Sequence, residues 1–136
     1  DEELIPVYAT EFSSGCDAKA NISIPVEILP GDSAIIPTGL KVEVPHGFEI
    51  QVRPRSGFAA KHQLTVLNTP GTIDADYRGE IGVLLINLSG ENQVIQPGDR
   101  IAQLVIQSVV QCKWEAVDVL ADSQRGEGGF GHTGVK

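Results

Sequence analysis

Residues 40–52 read Leu40-Lys41-Val42-Glu43-Val44-Pro45-His46-Gly47-Phe48-Glu49-Ile50-Gln51-Val52. Apolar and polar side chains alternate in the runs Leu40–Val44 and Phe48–Val52, and a Pro-His-Gly turn signal separates the two runs. Because successive side chains of a strand point to opposite faces, this alternation is typical of half-buried β-strands. The segment therefore predicts two strands joined by a turn.

Similar runs recur on both sides of this segment, with Pro-Gly or Ser-Gly pairs between many of them. They are Ile22–Ile28, Ser33–Ile36, Ile81–Leu88, Ile101–Ile106 and Trp114–Leu120. Strands that recur about every 8–12 residues with such turns predict an all-β sandwich or barrel.

One short segment, Gly57–Gln63, has a helical pattern, and Ser56 is its expected N-cap. The end of the chain is rich in glycine and has no strand pattern. Such a segment buries little apolar surface and is expected to be flexible unless a ligand orders it. We therefore expect a β domain over residues 1–120 and a C-terminal arm over residues 121–136.

Length, composition and charge exclude several classes of protein. A chain of 136 residues with 41% hydrophobic residues fits one folded domain. Its apolar runs fall short of the ~20 residues that a membrane-spanning helix needs. The acidic start Asp1-Glu2-Glu3 also lacks a signal-peptide pattern, so we expect no membrane association. A net charge of −8 argues against nucleic-acid binding.

The cysteines and histidines form no metal-binding pattern. Cys16 and Cys112 are far apart, and His46, His62 and His132 complete no zinc spacing. Two ordinary thiols favour a reducing, cytoplasmic compartment.

The arginines are gathered beside glycine-containing segments, although the chain is acidic. They are Arg53, Arg55, Arg78, Arg100 and Arg125. A guanidinium group donates two parallel hydrogen bonds to a phosphate. This distribution is suited to binding one small polyanion.

Pro54-Arg55-Ser56-Gly57-Phe58 places an arginine and a hydroxyl at a predicted helix start. Free N–H groups at a helix start favour an anion, so this segment is a candidate phosphate site. The alternative is a capped helix with a solvated arginine.

The loop from Asn68 to Glu80 carries two carboxylates, Asp74 and Asp76, and the aromatic ring of Tyr77. These groups are suitable for a general base beside a stacking surface. The alternative is an acidic hairpin loop with a packed tyrosine.

Three further segments are less specific when taken alone. Ser14–Ala18 contains Gly-x-Asp, which is common in turns. In Pro97–Leu104, Asp99 and Arg100 are a candidate surface ion pair, worth about 0–1 kcal/mol. Arg125–Gly134 does not match a P-loop, because His132 stands in place of the lysine and the polar run Ala121–Gln124, not a strand, comes directly before it. It is either an arm that stacks on a ligand or a plain disordered tail.

Together, the five segments resemble the five ordered motifs of the trimeric dUTPase family. The most specific are Pro54–Gly57, Gly71–Gly79 and Arg125–Gly131. The resemblance implies a distorted jelly-roll β-barrel with one short helix and a flexible arm that closes over the active site. It also implies a homotrimer with shared active sites, and Mg²⁺-dependent hydrolysis of dUTP to dUMP and pyrophosphate. This reaction would keep dUTP low and supply dUMP for dTMP synthesis.

The resemblance also implies roles for residues at the reaction centre and around the nucleoside. Asp74 would activate the attacking water, and Gln103 would help to position it. Tyr77 would lie beneath the deoxyribose and exclude a 2′-hydroxyl. The remaining contacts to the uracil edge would come from Asn68, Gly71 and Ile73.

Other residues would bind the triphosphate and the metal. Arg55, Ser56 and Gly57 would hold phosphates, and Asp17 would support Mg²⁺ through water. In the arm, Phe130 would cover the uracil, with Gly131 beside it. The γ-phosphate would be reached by Arg125 and Thr133.

Two residues depart from the family pattern. His132 stands where a small hydroxyl residue is usual, and Cys16 stands where a larger residue is frequent. A related dCTP deaminase and a non-catalytic nucleotide sensor are the alternative functions. The first lacks the Arg125–Gly131 pattern, and the second would be supported by loss of Asp74, which is present.

Overall fold

The computed structural model describes residues 2–134. In this range the chain forms nine β-strands, one α-helix, α1 (Ser56–His62), and a 3-10 turn at Glu2–Leu4. The strands are β1 (Cys16–Lys19), β2 (Val26–Ile28), β3 (Ser33–Pro37), β4 (Phe48–Arg53), β5 (Leu64–Val66), β6 (Gly71–Ile73), β7 (Gly82–Asn87), β8 (Gln93–Ile95) and β9 (Arg100–Ser108). The prediction of an all-β chain with one short helix is confirmed.

Three antiparallel sheets build the fold. A four-stranded sheet has the order β1-β9-β4-β6, a three-stranded sheet has the order β3-β7-β5, and β2 pairs with β8. In the described part of the chain, no two consecutive strands pair with each other. Each ladder therefore joins distant parts of the sequence, as expected for the predicted distorted jelly-roll barrel.

The core lies between the sheets and is built mainly from branched aliphatic side chains. The largest side chains that are at most 1% exposed include one from each of five strands: Ile28, Ile36, Leu85, Ile95 and Ile101. Full burial of each such side chain contributes about 1.5–3 kcal/mol to folding. This core fixes the strands whose ends carry the candidate site.

The run Leu40–Val44 does not pair with another segment as a strand, so the strand prediction is wrong here. Its burial nevertheless alternates as expected, because its apolar side chains are partly or fully buried and its Lys and Glu are exposed. One backbone hydrogen bond, from the N–H of Ile81 to the carbonyl of Leu40 (2.9 Å), ties the segment to the barrel. The alternation therefore predicted correctly which side chains are buried, but it did not show that the segment pairs with a neighbouring strand.

Two other strand predictions also need correction. Within Ile22–Ile28, Val26–Ile28 alone is a strand, because it alone pairs with β8. Trp114–Leu120 forms no strand and pairs with no described segment. Its side chains are largely exposed, with Trp114 at 90% and Leu120 at 81%.

The helix begins one residue earlier than predicted. Arg55 is the N-cap, with extended backbone angles (φ −90°, ψ 130°), and its carbonyl accepts a hydrogen bond from the N–H of Ala59 (3.0 Å). Ser56 is therefore the first helical residue and not the cap, and no side chain caps the helix. Among residues 2–134, no helix is long and apolar enough to cross a membrane.

Candidate active site

A charged cluster forms where β1 and β4 flank β9. Asp17 of β1 pairs with Gln103 of β9, which also pairs with Arg53 of β4. The Nε of Arg55 donates to Oδ1 of Asp17 at 2.9 Å, and Nη1 of Arg100 lies 3.4 Å from Oδ2 of the same carboxylate. Two guanidinium groups thus face one carboxylate, which leaves a net positive charge suited to an anion.

From the sequence, Arg100 is one of the arginines suited to a polyanion, and its candidate partner is Asp99 in a surface ion pair. The structure contradicts that pairing. Asp99 accepts a hydrogen bond from the N–H of Gln96 (2.8 Å) and so closes a turn, while Arg100 reaches Asp17 and its carbonyl accepts from Nη1 of Arg55 (3.0 Å). The sequence carried no signal for this contact, which depends on the β1–β9 register.

Ser56 and Gly57 follow Arg55 directly and are exposed at the start of α1. A methyl group at Gly57 would have no heavy atom within 4 Å, so the space above this turn is open. Because no side chain caps the helix, its first N–H groups are not occupied by a cap. The predicted phosphate-binding residues therefore adjoin the charged cluster.

The nucleoside residues of the sequence analysis lie around β6. Gly71 is buried, and a Cβ atom there would stand 3.1 Å from Cβ of Val52 and 3.5 Å from Nδ2 of Asn68. Ile73 packs partly into the core and pairs with Ile50 of β4. This strand therefore holds the following loop rigidly against the barrel.

Asp74 is exposed and lines an open cavity of about 650 Å³. The cavity is also lined by two carboxylates, Glu49 and Asp76, and by His46, and no Lys or Arg among residues 2–134 lines it. Such a cavity suits an attacking water beside a carboxylate, but it does not by itself suit a triphosphate.

Tyr77 stands at the turn that follows. Its hydroxyl donates to the carbonyl of Glu80 (2.9 Å), and its side chain is 42% exposed. The ring is therefore fixed at its tip while part of its surface remains open to a ligand.

The structure does not bring all the predicted catalytic groups together within one chain. The Asp74 cavity adjoins Glu49, whereas Gln103 pairs with Arg53, four residues further along β4. At the rise of a strand, this spacing is about 13 Å. Asp74 and the cluster around Asp17 therefore lie towards opposite ends of β4.

The hydrogen bonds of the arm are local in the described part of the chain. Nε of Arg125 donates to the carbonyl of Gly128 (2.7 Å), and the N–H of His132 donates to the carbonyl of Gly129 (2.8 Å). Phe130 and Thr133 are exposed. The described part of the arm thus folds on itself.

Cys16 occupies a partly buried position on β1, where its Sγ lies 3.7 Å from the carbonyl of Leu104. Burial raises the pKa of this thiol above its usual value. Cys16 is therefore a packing residue beside Asp17 and not an activated nucleophile.

A family model for dUTPase matches residues 1–134. The chain belongs to the dUTPase family. It is 53% identical over 135 residues to the deoxyuridine 5′-triphosphate nucleotidohydrolase of Chlamydia abortus, covering 97% of this chain and 92% of that protein. The enzyme of the same name from Desulfotalea psychrophila is 56% identical over 131 residues, covering 96% of this chain and 87% of that protein.

Solved dUTPase structures share the fold. The dUTPase of Staphylococcus phage 80alpha with dUPNHPP has a TM-score of 0.85 and 26% identity, covering 99% of this chain and 95% of that chain. The Streptococcus mutans dUTPase has a TM-score of 0.77 and 28% identity, covering 84% and 92%. A mutant dUTPase of phage phi11, described with a structural Mg(II) ion, has a TM-score of 0.76 and 25% identity, covering 88% and 93%.

Proposed function

We propose that this chain hydrolyses dUTP to dUMP and pyrophosphate. The observation that carries the proposal is the β6–β7 loop, in which a fixed tyrosine ring stands close to an exposed carboxylate at a cavity. Family membership and the names of the relatives support the same reaction.

In the proposed mechanism, Asp74 accepts a proton from a water molecule that Gln103 helps to orient. The water oxygen bonds to the α-phosphorus as the bond from that phosphorus to the bridging oxygen breaks. Pyrophosphate leaves with the bridging oxygen, and the other product is dUMP. The exposure of Asp74 at an open cavity supports its access to water.

The nucleoside is held by the segment around β6. Tyr77 lies beneath the deoxyribose, where its ring leaves no room for a 2′-hydroxyl. Asn68 and the backbone of Gly71 and Ile73 face the uracil edge. The tight packing of Gly71 on Val52 supports a rigid pocket, which is the kind that rejects an added methyl group sterically.

The phosphates are held by Arg55, Ser56 and Gly57. The positive charge that the two arginines leave around Asp17 and the open turn at Gly57 support this assignment. Fixed guanidinium and N–H groups offset the charge that develops on phosphate oxygens during attack.

The donor set fits a Mg²⁺ ion that is held mainly by phosphates and water. Among residues 2–134, no group of three His, Cys, Asp or Glu residues could hold a metal. The Asp17 carboxylate already accepts from Arg55 and Arg100, so it would support the ion through a water ligand. When bound, the ion would neutralise phosphate charge.

The active unit is proposed to be a homotrimer with shared sites. The separation of Asp74 from the Asp17 cluster along β4 supports sites completed by a second chain. The exposed apolar residues of Trp114–Leu120 support an interface, because such side chains are rarely left in water together.

The arm is proposed to close over a site in this trimer. Residues 1–120 would form the barrel domain and residues 121–136 the arm. Phe130, exposed and unpacked, is available to cover the uracil, with Gly131 beside it. The γ-phosphate would be reached by Arg125 and Thr133.

We also propose a cytoplasmic role in keeping dUTP low and supplying dUMP for dTMP synthesis. Cys16 and Cys112 are free thiols, which supports a reducing compartment. The net charge of −8 does not favour binding to nucleic acid.

The test is pyrophosphate release from dUTP, dCTP, dTTP and UTP, each with Mg²⁺ and with a chelator. We expect release from dUTP alone, and loss of that release with the chelator. Ammonia release from dCTP would instead identify a deaminase, and binding of dUTP without any release would identify a nucleotide sensor.

A further inference from the structure

The ring of Tyr77 lies directly over Gly79. A Cβ atom at Gly79 would stand 2.5 Å from Cζ and 2.9 Å from Cε2 of Tyr77, and it would overlap the hydroxyl. The backbone of Gly79 does not have a positive φ angle. Glycine is therefore required here for space beneath the ring and not for an unusual backbone conformation.

The carbonyl of Glu80 holds the same end of the ring, at its hydroxyl. The Tyr77 hydroxyl donates to the Glu80 carbonyl (2.9 Å), and Oε1 of Glu80 accepts from the N–H of Gly39 (2.7 Å). Because the ring contacts both Gly79 and the Glu80 carbonyl, these two residues set the position of the ring relative to the loop.

This support is tied to the core by further hydrogen bonds. The hydroxyl of Thr38 donates to the carbonyl of Ile81 (2.6 Å), and the N–H of Ile81 donates to the carbonyl of Leu40 (2.9 Å). Thr38 and Ile81 are both 0% exposed. The segment Thr38–Leu40 thus anchors the support of the ring, although it contributes no group to the candidate site.

We propose that Gly79 and Glu80 are positioning residues that set the position of the Tyr77 ring and thereby the selection of deoxyribose over ribose. This inference rests on the proposed function, in which the ring excludes a 2′-hydroxyl. The ring is partly exposed, so a group placed beneath it displaces it outward instead of into the core. A methyl group at Gly79 moves the ring by roughly 1 Å before ordinary contact is restored.

The experiment measures kcat and KM for dUTP and UTP in the homo-oligomeric enzyme and in its Gly79→Ala variant. We expect the ratio of kcat/KM for dUTP over UTP to fall by about tenfold or more, since a displaced ring no longer fits the sugar edge. For dUTP the loss falls mainly on KM, because Asp74 is not moved. An unchanged ratio would overturn the inference.

Gly90→Ala is the matched control. Gly90 also lies in a turn, but a Cβ atom there would have nothing within 4 Å. This variant is expected to keep the wild-type ratio. If wild-type enzyme releases no pyrophosphate from dUTP, the proposed function fails. If the wild type is active and Gly79→Ala keeps the wild-type ratio, the inference alone fails.

A second pair of variants covers the case in which Gly79→Ala does not fold. Glu80→Ala removes the acceptor of the Gly39 N–H, whereas Glu80→Gln keeps an oxygen acceptor at that point. We expect Glu80→Ala to lower the dUTP-to-UTP ratio about threefold and Glu80→Gln to restore it. Equal ratios in the two variants would overturn the role of Glu80.

Discussion

The loops on either side of β7 are both polar, but they use their polar groups in opposite ways. At the entry to the β7–β8 loop, Nδ2 of Asn87, the last residue of β7, donates to the carbonyls of Ile28 (2.9 Å) and Glu91 (2.7 Å). Its Oδ1 accepts from the N–H (2.9 Å) and the hydroxyl (2.7 Å) of Ser89. An amide side chain has two donors and two acceptor positions, so Asn87 is fully satisfied within the fold.

In the β6–β7 loop, the protein fixes the aromatic ring but not the acids. Tyr77 is held by the Glu80 carbonyl, whereas Asp74 and Asp76 are exposed and make no described side-chain hydrogen bond. A loop that satisfies its own polar groups stabilises the barrel. A loop that holds its ring and leaves its carboxylates open is prepared for a ligand.

The largest expected effect in this comparison is that of Asp74→Asn. We expect kcat for dUTP to fall by about 10³-fold, because an amide cannot accept the water proton and general bases contribute roughly 10²–10⁴-fold. The melting temperature should stay within experimental error, since the carboxylate makes no described internal contact. Steady-state kinetics and calorimetry would check both parts. A variant that retains full hydrolysis would contradict the role of Asp74.

Asn87→Ala should have the opposite signature. It leaves the buried carbonyl of Ile28 without its donor and removes the acceptor used by Ser89, so we expect a loss of about 2–4 kcal/mol in unfolding free energy. The kinetic constants of the folded fraction should not change. Urea denaturation with parallel assays measures both.

The control for this variant is Asn92→Ala. Asn92 is exposed and donates to Oε1 of Glu27 (2.9 Å). An exposed contact of this kind is expected to contribute less than about 0.5 kcal/mol. Equal losses in the Asn87 and Asn92 variants would contradict the structural role of the Asn87 side chain.

The smallest effect should come from Asp76→Asn. Asp76 lines the same cavity as Asp74, and its replacement by asparagine removes the same negative charge. We expect kcat to change less than about threefold, because the variant alters the field at the cavity without removing the proton acceptor. Steady-state kinetics with dUTP would detect a larger loss, and that loss would assign the two carboxylates a joint role.

The sequence predicted those strands that combine an alternating pattern with flanking turn signals. The Phe48–Val52 run became β4 because it pairs on both sides, whereas Leu40–Val44 has the same pattern without a ladder. Strands of three or four residues, such as β6 and β8, were missed because they are too short for a periodic signal. Trp114–Leu120 carries a strand pattern that finds no partner in its own chain.

The sequence proposes residues for the candidate site but not their arrangement. The ordered motifs make Asp17, Arg55 and Asp74 candidates, yet the order of motifs does not say which of them meet. The register of β4 with β6 and β9 determines that, and it places Asp74 away from the other two. The partnership of Arg100 with Asp17 depends on the same register.

The most direct test of the account is complementation between two inactive variants. Asp74→Asn and Arg55→Ala chains would be mixed at equal amounts, unfolded and refolded together, and assayed for pyrophosphate release from dUTP. If Asp74 and Arg55 come from different chains, about a quarter of the sites contain both native residues, and activity returns to about a quarter of the wild-type level. If both residues come from one chain, the mixture remains as inactive as its components, and the shared-site account is contradicted.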